Sequence, residues 1–457
     1  MKTLFLFLSS VFLAAAGSAQ EKPETGKITD HVTCIGNSEQ SYAVFLPSTY
    51  SEARSWPVVF AFDPGARGQI PVELMKDGAE RYGYIVLGSN NSRNGAWKIQ
   101  SEAAEAMLQD AQKRFNVDLK RMYFAGFSGG ARVASELAQL CKCAAGVLLS
   151  GAGFSQHSSP QNETAFPVFS TAGLLDFNYP ELITLQDKLE QAAYPHWLRV
   201  FDGQHEWAPA AVMNEAFAWF RVQAMREKRE PRDDKLISVA MTEAVASAEK
   251  YIASKDMLAA WRQYKQIAET YNERAEAGAA RTKSEELGKS KQVQAALKSE
   301  RNMFGEQERW SNQILGALQS EENLEAPRSA EQNNVTQDIR DLRQRSESEK
   351  KPERAVVLKR ALSGIFVGAI ESGGGALEKK EYATAARYFL AAAEARPSAE
   401  WPLRQLAIAQ ALSKDSKAAI ETLRRIKPTD PAEFQKWLAA EPAFAELRGK
   451  GALKEVH

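Results

Sequence analysis

The sequence is poor in cysteine, with only Cys34, Cys141 and Cys143 among 457 residues. Two cysteines separated by one residue form a strained bridge with each other, so Cys34 with either of the other two is the one intramolecular pair we consider. The Cys-Lys-Cys segment has no His, Asp or further Cys beside it, which disfavours a zinc site. We therefore interpret all three cysteines as structural or incidental.

Net charge is also absent, because 58 basic residues balance 58 acidic ones. Nothing global therefore suggests nucleic acid or an anionic membrane surface as a partner. Hydrophobic residues make up 44% of the chain and charged residues 25%, as is ordinary for soluble globular proteins. The length favours two or three domains.

Apart from the N terminus, the chain lacks apolar runs long enough to span a membrane, which would need about 18 residues. The first 19 residues have the pattern of a signal peptide: Lys2, an apolar run from Leu4 to Ala16, and small residues up to Ala19. A retained anchor is the alternative, and a lipid anchor is disfavoured because no cysteine lies beside the cleavage region. We expect export to the periplasm or the medium, with no membrane span after cleavage.

The composition changes near "REKREPRDDK", Arg226 to Lys235, which predicts a boundary between domains at 20–228 and 236–448. Short β-rich runs alternate with amphipathic stretches before it, which predicts an α/β domain with a mainly parallel sheet covered on both faces. Residues rich in Ala, Glu, Lys and Arg follow at helical spacing. The predicted strands begin at residues 41, 57, 84, 122, 146, 167 and 198.

The stretch "MYFAGFSGGARVASELAQL" places Gly126, Ser128 and Gly130 between a predicted strand and a predicted helix. This is the G-x-S-x-G pattern of a nucleophile elbow, in which small neighbours allow the strained turn that projects the serine oxygen. The backbone N–H groups at the start of the helix face the position of a developing oxyanion. An ordinary glycine turn is the alternative interpretation.

A nucleophilic serine needs a base and an orienting acid, which in this fold follow later strands in the order acid, then histidine. Asp176 follows the strand "PVFSTAG", and His205 follows "LRVFDG". Asp202 is the alternative acid, although it lies close to His205 in sequence. The other histidines fit the expected order less well: His31, His157, His196 and His457.

The oxyanion hole would combine the N–H of Gly129 with a donor from the loop after "PVVFAF". Pro64 has no N–H, so Gly65 or Ala66 is the expected donor. The candidate substrate contacts are Arg67, Asn91 and Trp207. Arg67 could equally be solvated, and the "SNNSRNG" segment around Asn91 could be a simple turn. This chemistry calls for neither a metal nor a cofactor.

The segments "FDPGARG", "GFSGG", "GLLD" and "FDGQHEW" resemble the α/β-hydrolase superfamily. The closest resemblance is to small secreted esterases such as polyhydroxybutyrate depolymerases, feruloyl esterases and dienelactone-hydrolase-like proteins. It covers roughly Thr29 to Ala224 and implies acyl transfer to water by Ser128, His205 and Asp176. The chain departs from the family in two ways. "DPGARG" replaces the common His-Gly pattern, and serine at 128 argues against dienelactone hydrolase activity itself.

The second half resembles tetratricopeptide repeats, so the predicted fold class is an α/β-hydrolase-type sheet followed by an all-α helical-repeat domain. Ala385, Phe389 and Pro397 recur 34 residues later as Ala419, Leu423 and Pro431. A stripe of small and large side chains like this one more often packs helices together than lines a ligand groove. The segment "QSEENLEAPRSAEQNN" is expected to be a loop.

These features leave three functions open. The first is an exported serine hydrolase acting on a small or polymeric ester, with a possible protein or peptide partner on the helical domain. The second is an interaction protein with an inactive hydrolase-like domain, and the third is a peptidase using the same triad. Too little chain separates Ser128 from Asp176 for a cap domain. We therefore expect an open site unless the helical half covers it.

Overall fold

The computed structural model describes residues 23–155, 158–161, 165–322 and 329–456. For residues 320–322, 329–334, 454 and 455 it describes the backbone alone. The predicted signal peptide, His157 and His457 lie outside this part of the chain. The strands are β1 (Ile28–Cys34), β2 (Asn37–Phe45), β3 (Trp56–Phe62), β4 (Ile85–Ser89), β5 (Val117–Phe127), β6 (Ala144–Ser150), β7 (Val168–Gly173) and β8 (His196–Phe201).

From β3 onward a helix follows each strand except β6 among the described residues, and helices continue alone after β8. They are α1 (Gln69–Tyr82), α2 (Trp97–Arg114), α3 (Gly129–Cys141), α4 (Tyr179–Gln191), α5 (Ala210–Arg226), α6 (Asp234–Ala253), α7 (Met257–Thr270), α8 (Ala277–Lys289), α9 (Lys291–Glu322), α10 (Ser329–Ser348), α11 (Pro352–Glu378), α12 (Tyr382–Ala395), α13 (Glu400–Leu412), α14 (Ser416–Arg425), α15 (Pro431–Ala440) and α16 (Ala445–Gly449).

The described strands form one sheet in the order β1-β2-β4-β3-β5-β6-β7-β8. The pairs from β4 to β8 are parallel, whereas β1 and β2 run antiparallel at one edge. Every residue of β3 and β6 is buried, because helices cover both faces of the sheet and leave no polar side to these strands. The predicted fold class, an α/β-hydrolase-type sheet followed by a helical region, is confirmed.

The edge strand β1 was not predicted from the sequence. Only Val32 and Cys34 are buried in it, and the rest of "ITDHVTC" is exposed or half-exposed. A strand that pairs on one side and faces solvent needs no continuous apolar run. The pattern that located the central strands is therefore missing here.

Two hydrophobic cores sandwich the sheet. Helices α2, α3 and α4 cover one face. Helices α1 and α5 cover the other, and α6, α7 and α8 extend that second core through residues such as Ile237, Met241 and Ile267. The first helices of the second half thus pack onto the α/β layers, and the domain boundary between Arg226 and Asp234 stays a prediction.

The remaining helices form their own cores, one shared by α9 to α12 and one by α13 to α16. Ala385, Phe389, Ala419 and Leu423 are all buried, as expected for packing positions. A Cβ on Gly373 would lie 3.0 Å from the ring of Phe389, which shows why the position is small. The assignment to tetratricopeptide-like repeats stays a prediction. The loop predicted for 319–334 is partly wrong, because α9 and α10 extend into both of its ends.

The Cys34 bridge that the sequence left open does not form, and the Cys141–Cys143 bridge that we considered too strained does. Cys141 and Cys143 form a disulfide, while Cys34 is a free, buried thiol. Lys142 between them has a left-handed conformation (φ 51°), which turns the chain at the end of α3 and brings the two Cα atoms to 5.1 Å. That separation is ordinary for a disulfide. Within the described part of the chain, no helix combines the length and apolar character needed to cross a membrane.

Candidate active site

Ser128 occupies the turn between β5 and α3, at the carboxyl edge of the sheet. Its backbone angles are φ 52° and ψ −120°, in a region that residues other than glycine rarely adopt. The N–H of Ser128 donates to the carbonyl oxygen of Ser150 at 2.8 Å, which ties the turn to the end of β6. Such strain persists only where neighbouring structure holds it, and it projects the side chain out of the turn.

The two glycines of the motif are required by close backbone contacts. A Cβ on Gly126 would overlap the carbonyl of Gly130, and a Cβ on Gly130 would overlap the carbonyl of Phe62 on the neighbouring strand β3. Any side chain at either position would therefore force the turn away from the sheet. This explains in physical terms why the pattern G-x-S-x-G is needed at this site.

The structure brings Ser128, His205 and Asp176 together. His205 Nε2 lies 2.9 Å from Ser128 Oγ, and His205 Nδ1 lies 2.8 Å from Asp176 Oδ1. With Asp176 ionised, Nδ1–H donates to the carboxylate and Nε2 accepts from the serine hydroxyl. Asp176 is fully buried, and its Oδ1 also accepts from the N–H of Asn178 at 2.8 Å. Asp176 rather than Asp202 is the acid that contacts His205.

The loops that carry the acid and the histidine are joined by their backbones. Leu174 N–H donates to the carbonyl of Phe201, and Leu175 N–H donates to that of Gly203, both at 2.8 Å. A Cβ on Gly173 would overlap the carbonyl of Gln204, so the two loops lie in direct contact. These bonds extend the β7–β8 pairing and fix Asp176 relative to His205.

Aromatic rings hold the imidazole of His205 from the sides. The ring of Phe177 lies 4.3 Å from that of His205, and the ring of Phe127 lies 4.7 Å from it, measured between centroids. The His205 side chain keeps 11% of its surface exposed. The imidazole therefore has few alternative orientations and remains slightly exposed.

The loop after β3 differs from the expected arrangement of oxyanion donors. The N–H of Gly65 donates to Asp63 Oδ1 at 2.9 Å, and the N–H of Ala66 donates to the carbonyl of Asp63 at 3.1 Å. Both expected loop donors therefore already have acceptors. Gly129 begins α3, so its N–H has no acceptor within the helix and faces the elbow.

Asp63 is the organising residue of this loop. Its fully buried carboxylate accepts from Gly65 N–H, from Arg67 Nε at 2.8 Å and from Trp207 Nε1 at 2.9 Å. Arg67 is therefore ion-paired within its own loop, although half of its side chain is exposed. Trp207 is buried and joins the histidine loop to the β3 loop.

Asn94, rather than the predicted Asn91, is the asparagine at the elbow. Asn91 Oδ1 accepts from Ser41 N–H at 2.8 Å and its Nδ2 donates to Glu39 O at 3.0 Å, so its amide pins β2. The Asn94 side chain lies against the Cα of Gly129, where a Cβ would overlap its Oδ1. The N–H of Asn94 donates to Pro64 O at 2.9 Å. No local feature of "SNNSRNG" indicates which of its asparagines lies at the elbow.

The helical half covers one side of this site. Glu371 on α11 accepts from Asn94 Nδ2 at 3.2 Å, directly above the elbow. Gly364 on the same helix packs against Phe177, where an added Cβ would lie 3.4 Å from the Phe177 Cβ. From the sequence we expected an open site unless the helical half covers it. Because α11 contacts both Asn94 and Phe177, that exception applies. Among the described residues, no group of His, Cys, Asp and Glu side chains is arranged to hold a metal ion.

No protein-family model matches the chain, and no curated protein matches it. Similar solved structures each cover less than half of it. A ferulic acid esterase is 18% identical, with 42% of this chain and 97% of the other covered and a TM-score of 0.35. Esterase B from Lactobacillus rhamnosis is 14% identical, with 46% and 93% covered and a TM-score of 0.37.

A further similar structure is an isopeptidase, AtxE2, at 18% identity and a TM-score of 0.36. It covers 47% of this chain, and this chain covers 42% of it. None of these likenesses identifies a substrate for this chain.

Proposed function

We propose that the protein is an exported serine hydrolase that cleaves a carboxylic ester through an acyl-enzyme intermediate. The observation that carries the proposal is the continuous chain from Ser128 Oγ through His205 to the buried carboxylate of Asp176, with contacts of 2.9 and 2.8 Å. Nucleophile, base and orienting acid are the components that ester cleavage by serine requires.

In the proposed mechanism, Ser128 Oγ attacks the ester carbonyl carbon while His205 Nε2 accepts its proton. Asp176 stabilises the resulting imidazolium, and the N–H of Gly129 donates to the oxyanion. The imidazolium then protonates the departing alkoxide, which leaves an acyl group on Ser128. Water attacks this acyl group with His205 as base, and the acid is released with the serine proton restored.

The substrate class is a small-molecule or polymeric ester, and a protein or peptide partner on the helical region is part of the same proposal. A serine peptidase with the same triad is the second candidate, since nothing in the three side chains distinguishes ester from amide. Export to the periplasm or the medium rests on the N-terminal sequence pattern alone.

An interaction protein with an inactive hydrolase-like domain is the third candidate. The burial of Asp176, its two hydrogen bonds at 2.8 Å and the strained backbone of Ser128 are difficult to explain for this candidate. A binding module has no need to maintain an ionisable group without solvent or a strained turn, because both cost folding free energy.

The experiment compares hydrolysis of short aryl esters by the wild-type protein and by S128A, with a panel of esters and matched amides. We expect ester turnover that S128A abolishes, and weak or no amide cleavage. Amide turnover equal to ester turnover would favour the peptidase. No turnover of either class by folded wild-type protein would contradict the proposal.

A further inference from the structure

Helices α9 and α11 hold the loop that carries Asp176. This acid loop comprises residues 174–178, between β7 and α4, and Tyr179 directly after it begins α4. Arg360 Nε on α11 donates to Leu174 O, and Gln307 Nε2 on α9 donates to Phe177 O, both at 2.7 Å. Backbone carbonyls on both sides of Asp176 are therefore bound by side chains of the helical half.

Tyr179 provides a third attachment at the end of the acid loop. Its hydroxyl donates to Glu300 Oε1 on α9 at 3.0 Å, and Arg262 on α7 pairs with the same carboxylate through Nη1 at 3.0 Å. Burial, with the nearby Glu300 charge, raises the pKa of Tyr179 to about 12, so the phenol remains a neutral donor at physiological pH. The charge of Glu300 is balanced locally by Arg262.

Arg360 is unusual among these contacts because it is a buried cation. It is 4% exposed, and its guanidinium lies 3.7 Å from the centroid of the Tyr179 ring. Among the described residues, no carboxylate lies within ion-pair distance of it. Burial lowers the pKa of Arg360, and the charges of Glu300 and Asp176 act in the opposite direction. An arginine stays protonated even so, and a buried charge is costly unless opposite charge or hydrogen bonds compensate it.

Asp176 is the complementary group, a buried carboxylate with one oxygen that has no hydrogen bond among the described residues. Its Oδ1 contacts His205 and the N–H of Asn178, whereas its Oδ2 is buried and has no hydrogen-bond partner among the described residues. A carboxylate oxygen removed from water without a donor is destabilised. A nearby positive charge offsets part of that cost, because electrostatic interactions are stronger in a protein interior than in water.

We propose that Arg360 is a positioning residue for the catalytic acid: it anchors the acid loop through Leu174, and its charge balances that of Asp176. The inference rests on the proposed function and adds a role for the helical half within it. The ring of Tyr179 packs against Arg360, and the charges of Glu300 and Asp176 act on it through space. The helical half is then needed for full turnover and does more than cover the site.

Two variants separate the charge of Arg360 from its hydrogen bond. R360K keeps the charge but loses the planar Nε–H donor, and R360Q keeps an amide donor but loses the charge. R354M is the matched control, because Arg354 lies on the same helix, is exposed and pairs with Glu306. For each variant, kcat and KM for an aryl ester are measured, with thermal unfolding as the check on folding.

We expect R360Q to lower kcat by about tenfold or more with KM unchanged, since the acid acts in the transition state. R360K should recover most of that loss, and R354M should match the wild type. Wild-type kcat in R360Q, or an equal loss in folded R360K, would overturn the inference. If R360Q does not fold, R360K decides: a measurable kcat loss below about tenfold with KM unchanged supports the inference, and either wild-type kcat or a larger loss overturns it.

Labelling of wild-type Ser128 by a fluorophosphonate separates this inference from the proposed function. A wild-type protein that is folded but not labelled removes both. A labelled wild-type protein whose R360Q variant keeps full kcat removes only the role of Arg360.

Discussion

The ring of Phe177 lies 4.3 Å from the ring of His205, and the two residues belong to loops from different strands. Phe177 follows Asp176 directly in the chain and is itself held by α9 and α11. His205 is therefore fixed at its Nδ1 edge by the acid and on its face by the residue beside the acid. The helical half holds one short loop and thereby constrains both the catalytic acid Asp176 and the base His205.

Replacing the acid should show which carboxylate orients His205. We expect D176N to lower kcat by about 10³ to 10⁴, because the amide no longer stabilises the imidazolium or selects its tautomer. The matched control is D202N, whose side chain was the alternative acid in the sequence and is not the one that contacts His205. Steady-state ester hydrolysis measures both. A larger loss in D202N than in D176N would contradict the assignment.

The second prediction concerns the close packing of the elbow against β3. In G130A the new Cβ would overlap the carbonyl oxygen of Phe62, and we expect a loss of about 1–3 kcal/mol or more in the free energy of unfolding. G374A is the control, because a Cβ there meets nothing within 4 Å and Gly374 lies inside α11. It should stabilise the protein by about 0.5–1 kcal/mol.

Urea unfolding of both glycine variants provides the measurement. An unfolding free energy of G130A equal to that of the wild type would mean that the start of α3 and the end of β3 approach less closely than the structure has it.

The third prediction tests Asp63 as the organiser of the β3 loop. D63N replaces one accepting oxygen with an N–H₂ group, which would face a donor from Trp207, Gly65 or Arg67. We expect a loss of about 1–3 kcal/mol in stability and a lower kcat, because the loop borders the elbow. D77N, at an exposed position on α1, should change neither quantity. A D63N variant with wild-type unfolding and kcat would refute this role.

The fourth prediction concerns Cys34. Burial, with the nearby Asp110 carboxylate, raises the pKa of this thiol from 9.0 to about 11. Between those pH values the folded thiol stays neutral while an unfolded one ionises, so this group lowers folding stability as pH rises through that window. We expect iodoacetamide to modify Cys34 only after unfolding. Peptide mapping that finds Cys34 bridged to Cys141 or Cys143 would contradict the structure.

The central strands and the three proposed catalytic residues were accessible from the sequence because their signals are local. Buried parallel strands appear as apolar runs, and Ser128, Asp176 and His205 each follow such a run. Burial on both faces of the sheet is what creates that pattern. The edge strand β1 lacks it and was missed.

The contacts that complete the site were not accessible, because they join distant parts of the chain. Arg360 and Leu174 are 186 residues apart, and Glu371 and Asn94 are 277 apart. An arginine in a helix carries no local sign that it will be buried against a loop of another layer. The N–H groups of Gly65 and Ala66 differ from these cases, because they are engaged within their own loop by the carboxylate and the carbonyl of Asp63.

The account depends most directly on Ser128 being a nucleophile activated by His205. The decisive measurement is tandem mass spectrometry of the folded protein after treatment with a fluorophosphonate, alongside S128A. We predict one phosphonyl adduct per chain, located on Ser128 and absent from S128A. A folded wild-type protein that acquires no adduct, or acquires it on another residue, would contradict the central claim.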